Sequence, residues 1–412
     1  MTVLTDACAA FARQGQGEDC GQYIFQIPRQ GRAFVGIGVH RTVSCQEGTF
    51  TICDESGQRT IACTDNPLQQ AGTLLEPDRP SFWMVGPDLA RSVSDPALPL
   101  IYCVQPKVEI EIAGDANDLE TASELTAEPA EGWTTQDDAT FTRRLESAIA
   151  TLSDYPDGKM IITRSYRRTC AGRDPFELFR IFAASEPSAA CNHFARIGEN
   201  AISLGCSPEN VFEVRDGKLI FDVVAATRGK SADPETDARW KEALRTDAKE
   251  QREHIMAFER YRQRIETLIQ PNSLEIDFQM KVLELGNVRH LYSRASGTLR
   301  EDLDWQTILS DSFPALISYP PALQSIADPQ QEPLRYYGGI VGRVGGGMRD
   351  AAFFLNLRAA LTLNDVLHTQ GGVGVIRESE PAKELLEVRN KLSGLFKAIA
   401  AWENLETTQP RA

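Results

Sequence analysis

The sequence predicts a mixed α/β protein of the α+β type in two lobes, on three observations. Gly and Pro break the first 112 residues into short apolar runs that read as strands. Long helical patterns run near residues 236–269 and 381–402. A chain of 412 residues, 42% hydrophobic and 25% charged, can bury a large core and exceeds what one compact domain holds. Residues 1–112 therefore form a strand-rich N-terminal part, with Phe34-Val35-Gly36-Ile37-Gly38-Val39 and Leu100-Ile101-Tyr102-Cys103-Val104 as clear strands. Residues 113–140, acidic and almost without large apolar side chains, read as a linker or surface excursion. Residues 141–405 carry an amphipathic helix over Phe141–Leu152 and a buried strand from Lys159 to Arg164. A hairpin from Val211 to Phe221 turns at Asp216-Gly217, and Ser379 as cap with an early Pro381 opens the last helix. Residues 406–412 form a tail.

Charge and cysteine usage narrow the function. A net charge of −15 without a sustained Lys/Arg stripe argues against nucleic acid and anionic membranes as partners. An anionic substrate must then be met by local cations or a metal. Nine cysteines with no C-x-x-C argue against a zinc ribbon, a thioredoxin-type site or a fully paired disulfide framework, and suit reduced thiols in the cytoplasm. No basic region followed by an apolar run opens the chain, and nowhere do eighteen apolar residues follow one another, so no export signal or membrane anchor is expected.

Two E-x-x-E pairs are the most telling feature. Glu250 and Glu253 share one helical pattern, Glu384 and Glu387 the other, and i, i+3 spacing puts both carboxylates of a pair on one helix face. Two such faces turned together offer four hard oxygen donors, the outline of a magnesium site that keeps several waters and grips an acidic substrate. Taken singly, each pair also reads as a solvated helix face.

The order of several further motifs carries a resemblance. Gly205-Cys206-Ser207-Pro208-Glu209 is followed by Val224-Ala225-Ala226-Thr227-Arg228-Gly229, the first E-x-x-E with His254, and Arg289-His290-Leu291. Then come Gly338-Gly339-Ile340-Val341-Gly342, Leu357-Arg358-Ala359-Ala360, Gly371-Gly372-Val373-Gly374, and the second E-x-x-E with Lys391. In this order, over roughly residues 140–402, the sequence resembles the chorismate-binding enzymes, among them isochorismate, salicylate and anthranilate synthases. The resemblance implies large, mainly antiparallel sheets with flanking helices and an active site in the cleft between two halves.

It also implies residue roles. Glu209 would be the general acid that protonates a departing C4 hydroxyl, which requires a raised pKa. Lys159, where ammonia-using relatives typically have glutamine, would activate water for attack at C2 and must be neutral to do so. Glu253 and Glu387 would ligate Mg2+ directly, with Glu250 and Glu384 holding its waters. Arg358 would grip the enolpyruvyl carboxylate, supplemented by Tyr337 and the backbone N–H groups of Gly372 and Gly374. Thr227, His290 and Lys391 would lie near the ring. Three positions depart from the family pattern by added bulk: Ala226 and Val373 replace small residues, and Ser318, in Ile317-Ser318-Tyr319-Pro320, stands where the family has glycine. Strain at Ser318 and a narrowed ring pocket at Val373 are the expected consequences. The favoured activity is isochorismate formation from chorismate, with continuation to salicylate plus pyruvate open. The alternatives are amination with ammonia from a separate amidotransferase subunit, and a non-catalytic binding protein.

Overall fold

The computed structural model describes residues 2–14, 20–91, 93–116, 131–231, 233–285, 288–314, 316, 318–327, 332–348 and 350–405. The central part of the expected acidic linker (117–130), the tail (406–412) and Ile317 lie outside them. Among the described residues two antiparallel sheets dominate. The first has nine strands in the order Val108–Ala113, Arg32–Ile37, Gly21–Ile27, Cys191–Ile197, Ala201–Ser207, Ala359–Leu363, Val366–Val375, Met160–Thr169 and Thr134–Thr135. The second has eleven: Glu275–Leu285, Val288–Thr298, Lys218–Gly229, Asn210–Arg215, Ala351–Leu355, Ile340–Val344, Ser81–Val85, Ile101–Gln105, Arg41–Gln46, Thr49–Asp54 and Gly57–Ala62. Each sheet draws strands from both ends of the chain, so neither corresponds to one stretch of sequence.

Three apolar layers follow from strand alternation. Between the sheets, Tyr23, Phe25 and Phe34 meet Phe82, Met84 and Phe354. Tyr23 stacks on Phe82 with ring centroids 5.0 Å apart. The outer face of the first sheet is covered by helices Val3–Ala12, Asp138–Leu152, Pro175–Ser185 and Pro381–Glu403. That of the second is covered by Pro67–Thr73, Ala248–Leu268 and Trp305–Ser312.

Local sequence explains most of these elements. The hairpin turns at Asp216 and Gly217 with φ of 50° and 77°, the double positive φ that an Asp-Gly pair supplies. Three sequence expectations are corrected. Val3–Ala12 is a helix, capped by the Thr2 hydroxyl, within the part read as strands. The pattern near 236–269 is two helices, Pro234–Thr246 and Ala248–Leu268, because Asp247 has extended φ/ψ and its carboxylate accepts from the Lys249 and Glu250 N–H groups at 2.8 and 3.2 Å. Ser379 does not cap the last helix. Glu380 holds that position without a side-chain capping bond, its carboxylate pairing with Lys383 instead, while the Ser379 hydroxyl accepts from Ile376 N–H at 3.2 Å.

This break at Asp247 places Glu250 in a first helical turn. The buried face of Ala248–Leu268 runs Phe258, His254, Glu250 toward its N-terminus, and that of Pro381–Glu403 runs Leu392, Val388, Glu384. Each apolar stripe thus ends in a glutamate one turn beyond its last packed residue. Asp247→Ala, leaving two N–H donors without their acceptor, should lower stability in urea unfolding by about 1 kcal/mol, with Asp247→Asn largely sparing it.

Candidate active site

Two crossings of the chain between the sheets lie side by side. Pro208-Glu209 links Ala201–Ser207 of the first sheet to Asn210–Arg215 of the second, and residues 356–358 link Ala351–Leu355 of the second to Ala359–Leu363 of the first. They are stitched together by Ser207 Oγ donating to Leu355 O (2.5 Å), Leu355 N–H to Glu209 O (3.3 Å) and Cys206 N–H to Arg358 O (3.1 Å). Glu209 and Arg358 are thereby aimed into one cavity.

That cavity collects every residue singled out from the sequence. Lys159, Glu209, Thr227, His290, Tyr337, Arg358, Gly372, Gly374 and Lys391 line it, as do Glu250, Glu253, Glu384 and Glu387. Lys159 precedes the strand Met160–Thr169 and is held by a two-bond bridge to Tyr319, at 2.8 and 2.7 Å. Its side chain is 34% exposed, less enclosed than the sequence reading required, and its Nζ lies 3.7 Å from Glu253. Burial pushes the Glu209 carboxyl up from 4.5 to about 7; the Val224 N–H, donating to Oε2 at 3.2 Å, and the cations Lys391 and Lys159 oppose the rise, while Asp222 adds to it.

The ring of donors beside Glu209 is fixed by a bulge. Ala226 adopts φ +62° and the strand register shifts across it, so that Thr227 lies opposite His290 and its Oγ1 stands 3.0 Å from Nδ1. Arg358 Nη2 is 3.4 Å from His290 Nε2. A guanidinium can only donate, so Nε2 accepts and Nδ1–H donates to Thr227. Burial, reinforced by Arg358 and Lys391, holds His290 well below its usual range, which keeps the imidazole neutral as this pattern demands.

Tyr337 and Gly372 lie together: burial pushes the tyrosine hydroxyl up to about 12, and the nearby Gly372 backbone acts against that rise. A Cβ at Gly372 would stand 3.1 Å from that hydroxyl, and one at Gly374 would stand 2.1 Å from Lys159 Cε. Glycine here gives room to side chains of the site. Val373 packs in the buried apolar cluster with Ile162 and Val388, on the strand face opposite Gly372 and Gly374, and it also forms part of the cavity wall. Ser318 is absent from the residues with positive φ, and its hydroxyl accepts from Ile161 N–H at 3.0 Å. The expected strain does not arise.

The four glutamates share the cavity with cations of the chain. Lys391 Nζ is 2.7 Å from Glu387 and donates to Gly372 O at 3.2 Å, and Arg228 is 3.7 Å from Glu250. Among the described residues no three acidic, His or Cys side chains converge closely enough to hold an ion. The donor chemistry nevertheless fits a hard divalent cation. Burial and then the neighbouring Glu253 raise Glu250, and burial and then Glu387 push Glu384 up to about 7, the mark of carboxylates crowded in a place poor in water. Two further residues escaped the sequence reading. Arg228 adjoins the Thr227 motif, whereas Glu186, buried behind Arg358 with Oε2 3.6 Å from Nη1, carries no sequence signal.

Residues 104–397 match the family model for chorismate binding enzymes. The chain belongs to that family. Anthranilate synthase component 1 of Streptomyces coelicolor is 30% identical over 275 residues, 65% of this chain and 53% of that protein. The Pseudomonas aeruginosa protein of the same name is 30% identical over 289 residues, 68% and 58% of the two chains. The chain thus spans little more than half the length of these relatives. Among solved structures, a putative 2,3-dihydroxybenzoate-specific isochorismate synthase from Bacillus anthracis superposes with TM-score 0.72 at 18% identity, over 95% of this chain and 99% of that one. The menaquinone-specific isochorismate synthase from Escherichia coli gives 0.71 at 19%, over 96% and 91%. These likenesses establish the shared fold of large antiparallel sheets and flanking helices. No helix among the described residues is long and apolar enough to cross a membrane.

Glu209 also has a stability signature. A carboxyl whose folded pKa is raised contributes stability that is full below its unfolded value of 4.5 and is lost as pH rises through about 7. Glu209→Gln lacks this loss, so its stability relative to wild type should grow between pH 4.5 and 8, by roughly 1–3 kcal/mol, in denaturant unfolding at a series of pH values.

Proposed function

We propose that this protein converts chorismate to isochorismate, adding water at C2 as the C4 hydroxyl departs. The observation that carries this reading is that Lys159 lines the same cavity as Glu209. In this reading Lys159 takes a proton from the attacking water, a step that requires its amine to have given up its own proton first. Glu209, poised at about 7, delivers one to the leaving hydroxyl, which departs as water. Water in and water out leaves the product with the mass of the substrate.

Binding divides between two ends of the cleft. Arg358 and the Tyr337–Gly372 pair hold the enolpyruvyl carboxylate, where a planar fork of donors suits a carboxylate. Glu253 and Glu387 would hold Mg2+, with Glu250 and Glu384 on its waters, and the bound ion would supply charge neutralisation for the ring carboxylate. His290 and Thr227 would lie near the ring as a neutral pair.

Amination is the second reading, favoured by the names of the 30% identical relatives. It predicts an amino product that forms only with added ammonium or an amidotransferase subunit. Elimination of pyruvate after isochorismate formation would use the same residues and release salicylate.

Chorismate incubated with the protein and Mg2+, followed by mass spectrometry, separates these outcomes: an isomer of unchanged mass supports the proposal, and an amino compound formed only with ammonium sinks it. Lys159→Gln should lower kcat by a factor on the order of 100 or more while the Kd for chorismate stays within about threefold. Because Glu209 must be protonated, pH–rate measurements of kcat/KM should show a break near pH 7.

A further inference from the structure

We infer that Glu186 is a positioning residue for Arg358, setting the direction in which its guanidinium meets a substrate carboxylate; this rests on the role given to Arg358 above. Glu186 follows the helix Pro175–Ser185 and is 4% exposed. Its Oε2 lies 3.6 Å from Arg358 Nη1, and His290 Nε2 lies 3.4 Å from Nη2, so the two terminal nitrogens are held from different sides. The Arg358 backbone is fixed at φ +48° on the crossing strand. A long side chain from a fixed backbone still has several rotors, and its aim is decided by what grips its end. Each terminal nitrogen carries two N–H groups; His290 accepts from one at Nη2 and Glu186 pairs with Nη1 as a charge at 3.6 Å, which leaves donors for an incoming carboxylate.

The surroundings are shaped to keep Glu186 there. Gly394, on the last helix, leaves the space that Oε1 occupies, since a Cβ at that position would stand 2.5 Å from it. Burial raises the Glu186 carboxyl, while Arg358, Lys230 and Lys397 act in the opposite direction and favour the charged form. The same negative charge also competes with a substrate carboxylate for Arg358, so a mere counter-ion and a positioning residue have opposite consequences. Removing a competitor tightens binding; removing a guide weakens it.

The test is calorimetric binding of chorismate and of 4-hydroxybenzoate, a ring with a single carboxylate and no enolpyruvyl group, to wild type, Glu186→Gln and Glu186→Asp. Glu186→Gln should raise the Kd for chorismate about tenfold and leave that for 4-hydroxybenzoate within roughly twofold, with Glu186→Asp intermediate and KM rising more than kcat falls. Gly394→Ala, which crowds Oε1 by a substitution that favours helix, should reproduce the selective loss should Glu186→Gln fail to fold. Unchanged or tighter chorismate binding, or equal losses for both ligands, would overturn the role of Glu186 alone. Failure of the wild type to bind chorismate would remove the functional reading and this role together.

Discussion

The cleft depends on the chain crossing from one sheet to the other at two adjacent places. Inside a strand, side chains alternate between two faces that are already committed to apolar packing. At Pro208-Glu209 and at residues 356–358 that alternation is released, and a side chain can point along the junction between the sheets. Hydrogen bonds between the crossings hold their spacing, so the backbones that carry Glu209 and Arg358 are fixed side by side. The helices then bring the glutamates to the same place by a different device, extending a packed stripe by one turn. Neither arrangement works alone, because the acid, the amine and the carboxylate pairs come from separate parts of both sheets and their covering helices.

Charge inside this cleft runs against the charge of the whole molecule. The protein carries −15 overall, yet Lys159, Lys249, Arg358 and Lys391 converge on a cavity that also holds five carboxylates. A buried charge costs several kcal/mol unless it is paired, and here the pairing is incomplete: Glu209, Glu250 and Glu384 are all held above their ordinary range. The site is therefore locally destabilised, as sites are when groups are kept poised for proton transfer or ion binding. The large apolar layers on either side of both sheets supply the stability that offsets it.

Much of this was legible in the sequence, and the limits have physical causes. Strand and helix periods exposed the hairpin, the amphipathic helix at 138–152 and the last helix, because burial on one face imposes those periods directly. The break at Asp247 was readable too: Asp with Glu250 three residues on is a capping pattern, but a longer helical period masked it. The order of motifs identified the residues that line the cavity because each is set in a local pattern. Glu186 had no such pattern. Its meaning lies in a contact with Arg358, far along the chain, and charge pairing between distant segments leaves no periodic trace. The intertwining of both chain ends in each sheet was illegible for the same reason.

The bulky replacements bear on which nucleophile the site selects. Ser318 spends its hydroxyl on the strand that follows Lys159, while Val373 packs in the core cluster and also contributes to the cavity wall. Ala226 does take a left-handed conformation, costing about 1–2 kcal/mol relative to glycine. Against that, glycine would lose about 0.5–1 kcal/mol of chain entropy on folding and about 0.8 kcal/mol from the buried methyl group packed on Leu244 and Leu291. These opposing effects nearly cancel, which explains how alanine can stand at the bulge without displacing Thr227 from His290. Glycine is kept at 372 and 374, where Tyr337 and Lys159 approach most closely. Under the proposed reading, selection between water and ammonia would fall to the amine of Lys159.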